Sequence, residues 1–426
     1  MSSPDTESAE VPRFHTIGVG AGPANLSLAA LFRKVAPDRM VLFDKQSGPG
    51  WHPQLLHAGV RMQTSWVKDL VSLVDPCHPL TFLNYIVSTG RIYALLNAQY
   101  DVIPRQEYVD YLAWAAEHVP DLHYGVAIER VSFDESTGFT AHSDARPVAR
   151  SEHLVIGLGT QPYIPDRFAG LPQEDVFVAD DLGARTEGMD RMAPVAVVGG
   201  GQTGAECVLE LLATGFSDIH WFGRRPWFSP LDDSPSANDF YRPAYLRFLQ
   251  GLRREARREL VEEQTLTGDA ISPGSLKSIY QANYEGMLTT GAFPVTLYPG
   301  RDVQGARPAR QGGYLLRDRG ITGLERHLVQ YVVLAVGRRN APLPFDEELA
   351  DRIEFDNGDL IVDEDYSIRW KGSDGHKIFA QNRARYTHGV LDANLTLLPI
   401  RSAIILNAMF GRRVYAIRDE EVSTVW

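Results

Sequence analysis

Cysteine is nearly absent from this chain: Cys77 and Cys207 lie 130 positions apart and form no C-x-x-C pair. That scarcity excludes a disulfide scaffold, leaves both thiols as structural residues and fits a reducing cytoplasm. Long apolar runs are also missing. No stretch reaches the roughly 18 residues needed to cross a bilayer, so a membrane span is not expected. Positive charge is in deficit, with 42 Lys and Arg against 54 Asp and Glu. A net charge of −12 argues against nucleic acid or an anionic membrane as partner. The opening residues, MSSPDTESAEVP, have no apolar centre and so are no signal peptide; residues 1–12 read as a disordered tail. No metal-ligating pattern stands out. What is present is an ordinary globular composition, 44% hydrophobic and 23% charged over 426 residues. That length allows about two or three domains with a sizeable core.

Residues 14–25, FHTIGVGAGPAN, organise the rest. A short apolar run ends in Gly18, Gly20 and Gly22, and a helical pattern starts through Leu26, Leu28 and Leu31. Strand, tight turn and helix are the opening unit of a dinucleotide-binding fold. Its glycines let backbone approach a pyrophosphate, and the helix N-terminus offers unpaired N–H groups and a positive dipole end. The third glycine of G-x-G-x-x-G is replaced by Asn25. The next strand, MVLFD, ends at Asp44, 22 residues after Gly22, where a ribose-binding carboxylate belongs.

A second unit satisfies the fingerprint in full: VAVVGGGQTG at 195–204, followed by a helical pattern. Its next strand, IHWFG, ends in Arg224 and Arg225 where an NAD site carries an acid. Guanidinium groups there suit the 2′-phosphate of NADP, the alternative being arginines solvated at a strand end.

Between the units, residues 46–105 form an irregular segment punctuated by Gly and Pro, and long irregular segments in compact domains carry function. Residues 108–118 read as a helix, 122–149 as a β-meander and 154–159 as a return to a parallel sheet. The charged helical pattern at 252–260 reads as a solvated face. A buried strand at 332–337 and a helix at 399–410 close the chain. The fold class is α/β, with two Rossmann-like dinucleotide-binding domains and a small helical domain. Residues 13–167 and 331–426 are assigned to the first, 168–230 and 291–330 to the second, and 231–290 to the helical domain. Two such sites imply electron transfer between two cofactors, NADPH at Arg224 and FAD at Asp44. A flavin-linked disulfide reductase is excluded for want of a cysteine pair.

The chain resembles the flavin-dependent N-hydroxylating monooxygenases, the lysine N6- and ornithine N5-hydroxylases of siderophore biosynthesis. The resemblance runs from about Phe14 to Arg413. It is carried by WHP (51–53), MQTSWVKDLVSLVDP (62–76), FLNYIVSTGRIY (82–93), DDSPSANDF (232–240) and THGVLDANLTLLPIRSA (387–403). It implies an FAD domain, an inserted NADPH domain and a small helical substrate domain, in a family that tends towards tetramers. It implies that NADPH reduces FAD and that a C4a-hydroperoxyflavin transfers oxygen from O2 to an uncharged primary amine. By the same resemblance Gly20, Gly22, Pro23, Asn25, Asp44, Lys45, Trp51, His52 and Gln63 meet FAD. Gly201, Gln202, Thr203, Gly204, Arg224 and Arg225 hold NADPH, and Asn394, Leu395 and Thr396 close over the flavin. Gln63 and Asn238 are the implied catalytic pair. Lys68 meets the substrate carboxylate, and Asn238, Asp239, Phe240, Tyr241 and Leu397 line the substrate. Plainer roles stand beside these: Lys68 pairing Asp69 at the surface, and Asn238 capping a helix.

The amine stays open. Ornithine enzymes carry Asn near Gly268, where this chain reads TGDAIS (267–272), and Lys68 and Pro399-Ile400 depart from the commonest lysine pattern. Lysine comes first, then putrescine or cadaverine, then ornithine or histamine. No residue is an obvious base; an apolar pocket would itself lower the amine pKa. A Baeyer–Villiger reading fails, because F-x-G-x-x-x-H-x-x-x-W has Glu174 for His and Val178 for Trp. A non-catalytic flavin sensor would not need the intact NADPH fingerprint.

Overall fold

The computed structural model describes residues 10–56, 59–321, 323–372, 375–419 and 423–426. Most of the expected N-terminal tail, residues 1–9, lies outside the described residues. The chain opens with β1 (Arg13–Val19), α1 (Pro23–Arg33) and β2 (Met40–Asp44), followed by α2 (Phe82–Ser88), α3 (Ile92–Ala98) and α4 (Arg105–Ala116). The strands β3 (Leu122–Tyr124), β4 (Arg130–Asp134), β5 (Gly138–Ser143), β6 (Arg146–Ile156) and β7 (Thr160–Pro162) complete this part. The first sheet runs β3-β2-β1-β6-β5-β4, with strand Ile378–Ala380 added beside β6. The meander and the returning strand expected separately are continuous in β6. Its first half pairs β5 antiparallel and its second half pairs β1 parallel. Burial alternates in the first half and becomes unbroken from His153 to Ile156, as expected where both faces are covered.

The second unit contains β8 (Val176–Val178), α5 (Leu182–Arg185), β9 (Val195–Val198), α6 (Gln202–Ala213) and β10 (Ile219–Gly223). Four helices follow: α7 (Pro235–Asn238), α8 (Pro243–Gly251), α9 (Arg254–Glu263) and α10 (Pro273–Thr290). Then come β11 (Val295–Pro299), β12 (Asp302–Pro308), β13 (Tyr314–Gly320), β14 (Gly323–Val329) and β15 (Tyr331–Leu334). The second sheet is β11-β10-β9-β15-β8, parallel throughout. One face packs on α6 and α10 through Val197, Val208, Leu211 and Ile279; the other packs on the β12-β13-β14 sheet through Val198, Phe222, Leu316 and Val329.

Two boundaries therefore move. β15 lies between β9 and β8, so the chain returns to the first domain after Leu334, not at residue 331. Helix α10 shares the core of α6, so residues 273–290 pack with the nucleotide domain and not with the helical lobe. A buried apolar strand carries no mark of which sheet it joins, and that ambiguity produced the first shift.

The chain ends with β16 (Arg338–Asn340), α11 (Glu347–Arg352), β17 (Phe355–Asp356), β18 (Asp359–Leu360), β19 (Ile378–Ala380), α12 (Arg385–His388) and α13 (Leu398–Met409). β16 pairs β7 antiparallel, so the two crossings between domains form one ribbon. The helical lobe buries Tyr245, Leu246, Leu249 and Val261 against Leu391, Leu397 and Ile400 of the closing segment. Trp426 stacks on Phe248 and packs on Phe240 and Tyr245. The charged run on α9 is not only a solvated face: Arg254 and Arg258 pair with Asp356 and Asp359 on β17 and β18. Cys207 is buried in the second core, whereas Cys77 is exposed. Among the described residues no single helix is long and apolar enough to cross a membrane; α13 is buried core.

Candidate active site

The first glycine loop is built by close approach. Gly20 has φ +93°, and a Cβ there would lie 2.3 Å from the Gly157 carbonyl oxygen. Gly22 caps α1 with no side-chain bond to the helix, and a Cβ there would meet nothing within 4 Å. The first N–H groups of α1 are thus left without a side-chain cap, as an anion site requires. Asp44 locks the loop by accepting the Ala21 N–H (2.7 Å) and the Gln46 N–H (2.8 Å), which leaves its carboxylate further lone pairs. Asn25, where a third glycine is usual, is 1% exposed. Its amide donates to the Gly20 carbonyl at 2.7 Å, and its Oδ1 has no partner among the described residues.

The second loop repeats the geometry with different partners. Gly199 has φ +142°, and Cβ atoms at Gly199 and Gly204 would lie 2.0 Å from the Ala335 and Gly199 carbonyl oxygens. The Trp221 indole donates to the Gly199 carbonyl at 2.9 Å. Gly201 caps α6 without a side-chain bond and, like Gly22, faces open space. Arg224 is exposed and pairs with no acid among the described residues, while Arg225 donates to the Asp269 carbonyl at 3.1 Å.

A cleft of ≈ 1870 Å³ runs from the first loop past Asp44, Lys45, Trp51 and His52 to the interdomain ribbon and α9, and includes Gly20, Gly22, Pro23 and Leu395. His52 has its pKa lowered to about 4, first by burial and then by Arg338 and Arg105, so it is neutral near pH 7. A second pocket of ≈ 210 Å³ is lined by Trp51, Gln63, Asn394 and Leu395, with Arg61, Arg105, Arg385 and Asp269 in its wall. Gln63 donates to the Ser272 hydroxyl at 3.1 Å, and Arg385 pairs Asp269 at 2.9 Å.

The other residues singled out from sequence line neither cavity. Lys68 is half-buried with no ion pair among the described residues, and burial lowers its pKa. Asp69 does not pair it: that carboxylate is 1% exposed and takes the N–H groups of Val71, Ser72 and Phe82. Asn238 ends α7, exposed, and its amide donates to the Asp233 and Ser234 carbonyls; Ser234 is the cap. Asp239 accepts from the Thr424 hydroxyl, and Tyr241 donates to the Thr267 carbonyl at 2.6 Å. Phe240 and Leu397 are packed in the lobe core. Gln202 accepts the Ser272 N–H at 2.7 Å, Thr203 follows it in the first turn of α6, and Thr396 is buried with its N–H on Asn394 Oδ1.

Sequence reasoning missed two groups. Arg401, 1% exposed, holds residues 381–392 through Gln381, Asn382 and the Asp392 carbonyl. Arg105 and Glu206 join the two domains by a bidentate pair at 2.7 and 3.2 Å. A buried cation inside an apolar helical run was the available signal for Arg401; nothing local marks the second pair.

Two dinucleotide-binding folds in one chain, joined by a ribbon and flanking a deep cleft, define a pyridine-nucleotide-dependent flavoprotein oxidoreductase. Comparison with known proteins narrows this class. The L-lysine 6-monooxygenase/L-ornithine 5-monooxygenase family matches residues 13–340, and the chain belongs to that family. It is 32% identical to the L-lysine N6-monooxygenase of Escherichia coli over 96% of this chain and 97% of that one. Similarity to a putrescine N-hydroxylase of Shewanella oneidensis is 28% over 97% of this chain and 84% of the relative. The structure of an FAD-bound cadaverine monooxygenase from Erwinia amylovora superposes with a TM-score of 0.89 at 25% identity, covering 97% of this chain and 98% of that one. The protein is an NADPH-dependent flavin N-monooxygenase with FAD and NADPH as cofactors. The residues fit both groups: each glycine loop leaves a helix N-terminus without a side-chain cap, beside a glycine facing open space.

Proposed function

We propose that this chain hydroxylates the terminal amine of L-lysine for siderophore or related natural-product synthesis. Gly20, Asp44, Lys45, Trp51 and His52 would hold FAD, and Gly201–Gly204 would hold NADPH, with Arg224 for its 2′-phosphate. Bound FAD would supply the redox chemistry: acceptance of hydride from NADPH and transfer of one oxygen atom of O2 to the amine nitrogen, the other leaving as water. The chain's own residues position the amine and exclude water. The observation that supports the substrate reading is the charge of the 210 Å³ pocket: Arg385 pairs Asp269 and Arg105 pairs Glu206, which leaves Arg61 as its excess cation. An α-carboxylate suits that wall, and a second ammonium does not. Lys68, half-buried and outside both cavities, would meet the same carboxylate only through a movement of its loop. Gln63 presents its amide to the pocket, and Asn238 reaches the substrate only if α7 moves.

Amine deprotonation follows from desolvation in the pocket and needs no dedicated base. The enzyme works in the cytoplasm, where NADPH is supplied, and as a homo-oligomer, a tetramer on family resemblance. Exposed Tyr280, Tyr284 and Leu288 on α10 support association.

The test is product formation by mass shift with FAD, NADPH and O2, offering lysine, ornithine, putrescine, cadaverine and histamine separately. Oxygen gained by lysine alone supports the reading. A diamine product overturns the charge argument and returns Asp269 as the partner of a distal ammonium. NADPH loss with no amine oxidised overturns the assignment of an amine substrate.

A further inference from the structure

Arg105 is the first residue of α4 in the flavin domain, and Glu206 sits on α6 in the nucleotide domain. The guanidinium meets both carboxylate oxygens, and the side chains are 12% and 4% exposed. A cation at a helix N-terminus opposes the helix dipole, so local stability does not explain Arg105 there. Its other bonds reach the substrate side: Nη1 donates to the Leu55 carbonyl at 3.1 Å, and the guanidinium lies 5.9 Å from the Trp51 ring. From Glu206 the contacts run the other way. Gln202, inside the glycine loop, donates to Glu206 Oε1 at 2.9 Å and accepts the Ser272 N–H at 2.7 Å. Ser272 caps α10 and accepts from Gln63 at 3.1 Å. One unbroken chain of polar contacts thus links the pocket, the domain boundary and the nucleotide loop.

We propose that the Arg105–Glu206 pair is a positioning clasp that fixes the nucleotide domain over the flavin domain, with Gln202 and Ser272 carrying that register to Gln63. The covalent crossings between the domains are the two strands of the β7–β16 ribbon, and a two-stranded ribbon alone is a hinge. Hydride transfer needs the reacting atoms held near contact, so a loosened domain slows it without touching the chemistry. The inference rests on the NADPH–flavin class alone and is independent of which amine is oxidised.

The test uses FAD-loaded enzyme, anaerobic and without amine, mixed with NADPH while flavin bleaching is followed. Arg105→Lys keeps charge but loses the fork, and Glu206→Gln keeps the shape but loses charge. Both should slow NADPH-driven bleaching at least tenfold and raise the KM for NADPH. Reduction by dithionite and FAD content should stay near wild type. If either single variant fails to fold, Arg105→Met/Glu206→Leu decides, because removing both charges avoids a lone buried ion. Bleaching by NADPH at the wild-type rate in a folded variant would show the pair to be structural only, and the proposal falls.

Discussion

Replacing Asn25 with glycine restores the usual third glycine of the fingerprint, and the structure predicts that it will destabilise the protein. The Asn25 amide donates to the Gly20 carbonyl at 2.7 Å and lies within 3.4 Å of the Val19 carbonyl, 1% exposed. Leaving a buried carbonyl without its donor costs about 1–3 kcal/mol, and glycine in a first helical turn adds a few tenths over Asn. A loss of about 1–3 kcal/mol follows, read as a fall in melting temperature and in retained FAD. Asn25→Asp keeps the shape but turns an acceptor on the Gly20 carbonyl, so it should be worse than glycine. Space gives a second check. A Cβ on Gly157 would lie 2.5 Å from Asn25 Nδ2, so Gly157→Ala alone should cost about 1–3 kcal/mol by overpacking. In the Asn25→Gly background that penalty should vanish, giving a coupling of the same size in a double-mutant cycle. An Asn25→Asp enzyme as stable as wild type, or strictly additive effects with Gly157→Ala, would refute the argument.

Acid should unfold the protein in a defined window. Burial holds His388 and His153 at about 3 and His52 at about 4, so the unfolded chain binds more protons than the folded one below about pH 6.5. Stability is full above pH 6.5 and falls on acidification towards pH 3–4, by up to about 1.4 kcal/mol per unit per histidine. His388→Phe should flatten the melting-temperature profile between pH 6.5 and 4. Lys68→Met should raise the KM for lysine about 10- to 100-fold with NADPH-driven flavin reduction unchanged, as loss of a charge-assisted bond predicts. An unaltered KM refutes the carboxylate role. Arg224→Ala should weaken NADPH about tenfold or more while leaving NADH unaffected, measured by steady-state KM for each.

The sequence by itself determined the two nucleotide units, because each is local: a strand, a positive-φ glycine turn and a helix within about twenty residues. It marked Asp44 and the blocks that carry family membership, and the Asp44 strand and both glycine loops lie where local pattern puts them. Tertiary structure decided the rest. Tyr331–Leu334 is apolar on both faces, and only pairing with Val195–Val198 tells which sheet it completes. Asn25 looked like a defect in a motif, yet packing against Gly157 gives it a donor's work inside the loop. The neighbouring carboxylate that sequence offered to Lys68 is consumed by three backbone N–H groups. Arg105 and Glu206 stand 101 residues apart, on helices whose patterns carry no sign of each other. Periodicity records which face of an element is buried; only the assembled domains decide which buried group meets which.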